Sequence, residues 1–401
     1  MEKVKAEVVT HYRSELVEYL RANGSTFAYG DTGIRLAKEF GFCYGVERAI
    51  DLAYAARRHF PREQPVYILG EIIHNPHVNE QIRDMGVTFL SGSHKAADIE
   101  DLGKGDPVVI PAFGTEVKVN EMLKARGCTV IDATCGDVMS VWKRVRQNAR
   151  EQVTSIIHGK AWHEETKATS SQAKAYENGH YLVVFDLDET DLVCRYITHG
   201  GDREAFLKKF EGATSDGFDP DKHLGAIGLA NQTTMLRGET EEVQRRLRAA
   251  MVEKHGEDAI AGHFRYFDTI CGATQDRQDA LRDLLSRPMD LLLVVGGYNS
   301  SNTSHLAEMG EGKLPTYFIK DASEIESAER LNHFLQHKQE MVIAENWLPL
   351  EGKLTVGITA GASCPNNLIE EVILQTYELR GAPASEVLGS IRAESAADMA
   401  Q

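Results

Sequence analysis

The sequence predicts an α/β protein of three pseudo-symmetric βα repeats with parallel-type sheets, and three observations lead there. Strand-like apolar runs alternate with amphipathic helices over most of the 401 residues, the pattern of parallel βαβ units. Three of the six cysteines, Cys43, Cys135 and Cys271, share one context: each ends a predicted strand and opens a predicted helix. A further strand follows each helix and runs into a polar loop after 31 residues (43 to 74), 28 (135 to 163) and 29 (271 to 300). Ligand groups in such units gather at the carboxyl ends of the strands, so the three repeats are expected to face one centre.

In chain order, residues 1–42 form an N-terminal extension with a helix around Ser14 to Arg21 and a turn at Gly30-Asp31. A strand from Ile34 to Phe42 leads to Cys43 and the first α/β domain, 43–135. Its helix carries the apolar spacing Val46, Ile50, Ala53, its next strand is Val66 to Leu69, its polar loop is His74-Asn75, and a later strand runs from Val108 to Gly114. The strand Thr129 to Thr134 leads to Cys135 and the second domain, 136–271. Here the helix is marked by Val138, Trp142, Val145 and Ala149, the strand by Thr154 to Ile157, the loop by His163-Glu164-Glu165, and the later strand by Ala226 to Thr233. The cysteine period is irregular, 92 residues (43 to 135) and then 136 (135 to 271), and the excess falls in a polar stretch near 195–223 that reads as a surface insertion. Phe264 to Ile270 leads to Cys271 and the third domain, 272–376, with Leu281, Leu284 and Leu285 on its helix. Its strand is Leu291 to Val295, its loop Ser300-Ser301-Asn302, and its last strand Val356 to Ser363. The tail, 377–401, is small and polar and is expected to be poorly ordered.

A formal net charge of -16 argues against nucleic-acid binding, which needs a basic face. The first twenty residues lack the apolar core of a signal peptide, and no apolar run approaches the roughly 18 residues of a membrane span. A cytoplasmic location away from membranes is the expectation. No Cys-x-x-Cys pair is present, and Gly296-Gly297 is not followed by a dinucleotide fingerprint, so no bound NAD or FAD is expected.

Three thiolates at one centre suit zinc or an iron-sulfur cluster. One coordination position is left open, the mark of catalysis rather than of structure alone. The polar loops supply what an oxygenated anion needs at strand ends and helix N-termini: His74, His163, Ser300, Asn302 and Ser363. Glu165, two residues after His163, is the natural proton donor. Cys128, Cys194 and Cys364 lack the shared context and are assigned to packing; His77, His223 and His263 are assigned to surface or structural roles.

Eight segments in order carry a resemblance: GFCYGVERAI from Gly41, GEIIHNPHV from Gly70, IDATC from Ile131, HEETKAT from His163, NQTT from Asn231, TICGATQDRQ from Thr269, NSSNTSHL from Asn299 and GITAGASCP from Gly357. Over about residues 10 to 376 the chain resembles the 4-hydroxy-3-methylbut-2-enyl diphosphate reductase (LytB/IspH) family. The resemblance implies one [4Fe-4S] cluster held by Cys43, Cys135 and Cys271 at the centre of the three repeats. The implied reaction is reductive removal of a hydroxyl from an allylic diphosphate to give isopentenyl and dimethylallyl diphosphate, the last step of the non-mevalonate route. It implies Glu165 as acid, Thr233 beside the reacting hydroxyl, and His74, His163, Ser300, Ser301, Asn302 and Ser363 around the diphosphate. A low-potential donor such as ferredoxin or flavodoxin is the implied partner.

Two positions depart from the family pattern. Phe113 stands where many members have a histidine, with His158 and Lys160 as candidate substitutes, and Gly136 stands where proline is usual. PAFG and HYRSELVEYL resemble the plant and cyanobacterial branch. The rival readings are an iron-sulfur hydro-lyase that needs no reductant and a non-catalytic Cys3His zinc protein.

Overall fold

A computed structural model describes residues 2–398. Helices Glu2–Tyr12 and Glu15–Ala22 come first, the second capped by Ser14, whose Oγ accepts from the Val17 N–H at 2.9 Å. A tight hairpin follows, β1 (Thr26–Tyr29) and β2 (Thr32–Leu36), turning on Gly30 at φ +57°. Strands β3 (Val66–Ile68), β4 (Val87–Phe89), β5 (Pro107–Ile110) and β6 (Thr129–Asp132) then form an all-parallel sheet in the order β4-β3-β5-β6. Next, β7 (Thr154–His158), β8 (Tyr181–Val184), β9 (Ile227–Asn231) and β10 (Phe264–Tyr266) form another, ordered β10-β9-β7-β8. Finally β11 (Leu291–Val295), β12 (Thr316–Ile319), β13 (Arg330–Leu335), β14 (Glu340–Glu345) and β15 (Leu354–Ala360) join the opening hairpin in a seven-stranded sheet, β1-β2-β15-β11-β12-β13-β14.

The expected repeat is present at the level of topology. Numbered from the first strand of each repeat, both four-stranded sheets have the order 2-1-3-4. The parallel core of the third, β12-β11-β15-β2, has the same order, except that its fourth strand comes from the beginning of the chain. The strand before Cys43 therefore completes the sheet of the last repeat. Antiparallel pairs β1-β2 and β13-β14 flank that core at its two edges.

By contacts the chain divides into two compact units. One comprises residues 1–58, 73–81 and 273–401; the other comprises 59–72 and 82–272. The first is built on the seven-stranded sheet, whose central strand β11 is buried on both faces, as its unbroken LLLVV requires. The second holds both four-stranded sheets.

Two expectations are corrected. The stretch 195–223 is not a bare surface insertion: Phe206, Phe210 and Phe218 are buried against Leu182, Val184 and Val193 in the core around β7 to β9. The tail after Arg380 is not wholly irregular either. It forms helix Ala384–Asp398, with Val387 and Ile391 buried in the core of the first unit, each contributing about 1.5–3 kcal/mol. Residues 399–401 lie outside the described residues.

Candidate active-site residues

Five helices start at the carboxyl side of these sheets and carry the predicted residues: α1 (Tyr44–His59), α2 (Gly136–Arg150), α3 (Glu164–Ser171), α4 (Gly272–Leu285) and α5 (Ser301–Glu311). Cys43, Cys135 and Cys271 immediately precede α1, α2 and α4. Each follows the fourth strand of its sheet, and each is held by the same hydrogen bond. The Cys43 N–H donates to the Ala362 carbonyl at 3.2 Å, Cys135 to Ala112 at 2.8 Å, and Cys271 to Thr233 at 3.2 Å. The three acceptors lie in the loops after β15, β5 and β9, the third strands of the three sheets. A cysteine at a helix N-terminus has its thiolate favoured by the free N–H groups there.

Burial pushes the Cys194 thiol up to about 12 and raises those of Cys128 and Cys364 as well. The donor set Cys43, Cys135 and Cys271, half-buried thiols outside any disulfide and each at a helix start, fits soft-metal ligation.

In the second unit, the loops after β7 and β9 build an acid pair. His163 caps α3, its Nδ1 accepting from the Glu165 N–H at 3.1 Å, which leaves the neutral ring its proton on Nε2. Glu164 is exposed whereas Glu165 is only 3% exposed. Both Glu165 oxygens are engaged by Thr233: the backbone N–H donates to Oε1 at 2.6 Å and Oγ1 donates to Oε2 at 3.0 Å. Buried Gln232 ties the two loops together, its Oε1 accepting from the Lys160 N–H and the Thr166 hydroxyl, both at 3.1 Å.

In the first unit, Ser300 caps α5, accepting from the Thr303 hydroxyl at 2.9 Å. The Ser363 hydroxyl lies 3.1 Å from the His74 carbonyl and 3.4 Å from Ser300 Oγ. Asn302 Oδ1 accepts from the Ala362 N–H at 2.9 Å, which fixes the amide. Asn302 Nδ2 and Ser301 Oγ are buried without a hydrogen-bond partner. Two such groups beside the free N–H groups of a helix start are the chemistry an oxyanion needs. The loop must pass close to His74, since a Cβ at Gly297 would lie 2.6 Å from the His74 carbonyl. His77, assigned to a surface or structural role, pairs with Asp321 at 2.6 Å.

His158 is one candidate substitute donor for the position of Phe113. It is fully buried, with Nδ1 2.8 Å from Thr240 Oγ1 and Nε2 3.9 Å from Glu239. Phe113 itself is half-buried beside Ala112, whose carbonyl holds Cys135. Residues with no signal in the sequence are those whose backbone does the work, Ala112 and Ala362. Gln232 was legible only as part of NQTT.

Three βα repeats, each presenting a cysteine at a helix start, define the class, and residues 34–376 match a family model described as LytB protein. The chain belongs to that family. A protein from Thermosynechococcus vestitus named 4-hydroxy-3-methylbut-2-enyl diphosphate reductase is 48% identical over 380 residues, covering 94% of this chain and 92% of its own. One of the same name from Gloeobacter violaceus is 45% identical over 394 residues, covering 97% and 93%. Among solved structures, the E-1-hydroxy-2-methyl-but-2-enyl-4-diphosphate reductase of Plasmodium falciparum matches with a TM-score of 0.63 at 21% identity, over 87% of this chain and 90% of that one. That likeness is one of fold. A second, described as (E)-4-hydroxy-3-methyl-but-2-enyl diphosphate reductase, the terminal enzyme of the non-mevalonate pathway, matches with a TM-score of 0.52 at 28% identity, over 87% and 100%. Among the described residues no helix is long and apolar enough to cross a membrane.

Proposed function

We propose that this chain reduces (E)-4-hydroxy-3-methylbut-2-enyl diphosphate to isopentenyl and dimethylallyl diphosphate, taking up two electrons and two protons and releasing the hydroxyl as water. The observation that carries the proposal is the threefold recurrence of one backbone hydrogen bond behind Cys43, Cys135 and Cys271, which prepares three thiolates alike and none of the other cysteines. These three would hold a [4Fe-4S] cluster, which supplies the electrons and a Lewis-acidic iron when bound.

The remaining work belongs to the chain's own side chains. Ser301 Oγ, Asn302 Nδ2 and the first-turn N–H groups of α5 bind the diphosphate, with Ser300, Ser363, His74 and His163 completing its polar surroundings. Glu165 donates the proton that turns the departing hydroxyl into water. Thr233 orients both carboxyl oxygens and, because a hydroxyl both donates and accepts, passes hydrogen bonding on to the substrate oxygen. A low-potential carrier such as ferredoxin or flavodoxin delivers the electrons.

The test is anaerobic. Purified protein should contain iron and labile sulfide and convert the hydroxylated allylic diphosphate only when a low-potential reductant is present. Turnover without reductant would favour a hydro-lyase, and zinc without iron would favour a structural Cys3His site.

A further inference from the structure

Arg277 on α4 is only 4% exposed yet makes no ion pair among the described residues. Its Nη2 donates to the Gly41 carbonyl at 2.6 Å and its Nη1 to the Ala273 carbonyl at 2.8 Å, while Nε is buried without a partner. A guanidinium does not shed its proton in a protein. A buried charge bonded only to carbonyl dipoles, with the Arg21 guanidinium within repulsive reach, is poorly compensated and calls for an anion.

The acceptor of the Nη2 bond places the guanidinium. Gly41 stands two residues before Cys43 and is held at φ +77° in a tight approach, where a Cβ would lie 2.7 Å from Asn366 Oδ1. Two residues span at most about 7 Å, so the guanidinium lies within roughly 10 Å of Cys43. A second guanidinium serves the same turn: Arg21 Nη2 donates to the Phe40 carbonyl at 2.5 Å. Arg21 has Glu39, Glu18 and Glu47 within electrostatic reach, and Arg277 lies near enough to repel it. Arg277 itself makes no ion pair among the described residues.

We propose that Arg277 is the built-in counter-charge for the anionic Cys43 thiolate and the iron-sulfur group it holds, a positioning residue that makes the centre easier to reduce. The inference rests on the cluster assigned under the proposed function. A fixed positive charge at roughly 10 Å in an effective dielectric of about 20 changes a one-electron equilibrium by about tenfold, equivalent to about 59 mV.

The experiment compares wild type, Arg277→Lys and Arg277→Gln, each prepared anaerobically, by iron and sulfide content and by a redox titration followed by electron paramagnetic resonance. Arg277→Gln is expected to lower the reduction equilibrium about tenfold at equal iron content, and Arg277→Lys to stay near wild type. If Arg277→Gln takes up iron poorly while Arg277→Lys loads normally, the need for a positive charge is again supported. An unshifted potential in fully loaded Arg277→Gln overturns the inference, as does equal loss of iron in both variants, which would make the guanidinium a scaffold. Wild type without iron and sulfide would instead overturn the proposed function on which the inference rests.

Discussion

Replacing Glu165 by Gln separates proton donation from everything else this side chain does. Both carboxyl oxygens are bonded by Thr233, to the backbone N–H at 2.6 Å and to Oγ1 at 3.0 Å. The Gln oxygen still accepts from the N–H, and its Nε2 donates to Thr233 Oγ1, which accepts as readily as it donates. No buried polar group is left unpaired, so stability should change by about 1 kcal/mol or less. Thr233, whose carbonyl holds the Cys271 N–H at 3.2 Å, has no reason to move, and iron content should be unchanged. What disappears is the acid. A positioned general acid contributes roughly 100-fold to 10,000-fold, about 2.7 to 5.5 kcal/mol of barrier. An anaerobic assay with excess chemical reductant and product analysis should therefore find turnover lower by at least ~100-fold, with substrate affinity within about twofold. Turnover within tenfold of wild type in fully loaded protein would refute Glu165 as the proton source.

Four further outcomes test the neighbouring geometry. Thr233→Val removes the hydroxyl from Glu165 but keeps the backbone bond; losing one hydrogen bond to a charged group, about 1.5–3 kcal/mol, should lower kcat by about 10-fold to 150-fold, with recovery in Thr233→Ser. Asn302→Asp keeps the acceptor for the Ala362 N–H and replaces the orphaned donor by a carboxylate, so KM for the diphosphate should rise at least ~10-fold while the unfolding midpoint barely moves; an unchanged KM would remove Asn302 from the anion cradle. The His77–Asp321 pair sets a pH dependence of stability. Its hydrogen bond to Asp321 raises the His77 pKa, and although burial opposes ionisation of Asp321, bonds from His77 and Ser323 bring its pKa down to about 2. The histidine's share is full below its unfolded value of about 6.5 and is lost as pH rises through the higher folded value. The Asp321 share is lost only as pH falls from about 3.9 through about 2. The melting-temperature advantage of wild type over His77→Gln should thus be largest near pH 5 to 6 and shrink toward pH 9, and an advantage that grows with pH would contradict the pair. Phe113→His should leave turnover broadly intact, since the neighbouring Ala112 carbonyl, not the ring, holds Cys135; complete inactivation would give the ring a role of its own.

Where a residue's chemistry and its neighbours in sequence point the same way, the candidate site was legible. Glu165 and Glu164 could not be separated by residue type, yet the helical register after His163 leaves one exposed and buries the other. Ser300 sits at a helix start, as its place after the strand Leu291 to Val295 suggested. The long parallel strands were visible as apolar runs, whereas β13 and β14, with half-exposed alternating side chains at a sheet edge, left no such run. Phe206, Phe210 and Phe218 were hidden in a stretch dominated by charge, because three aromatics spaced among lysines and aspartates look like a surface loop until a sheet face is found to cover them. Helix Ala384–Asp398 was missed because its small residues gave no amphipathic stripe beyond Val387 and Ile391. Arg277 was invisible for a different reason. Nothing in its neighbourhood announces that a charged side chain on a helix will be buried without an ion pair.

The common strand order 2-1-3-4 gives the three repeats one set of positions and lets their chemistry diverge. In this order the chain reverses direction between strands 1 and 3, so the loops after those strands open the crevice where ligands bind. The cysteine always follows strand 4 and always leans on the loop after strand 3, which is why three distant positions are prepared alike. The two crevice loops then specialise. After strands 1 and 3 of the second repeat stand His163, Glu165 and Thr233, the proposed acid with its orienting partner. After the corresponding strands of the third stand Ser300, Ser301, Asn302 and Ser363, the proposed anion cradle. The first repeat offers His74 and then Phe113, which follows the Ala112 carbonyl as Ser363 follows Ala362. Taking the fourth strand of the third sheet from the start of the chain puts Cys43 on the same unit as the anion cradle, while Cys135 and Cys271 share theirs with the acid. The proposed proton donor and its orienting threonine thus belong to the second unit, and Ser300, Ser301, Asn302 and Ser363 to the first.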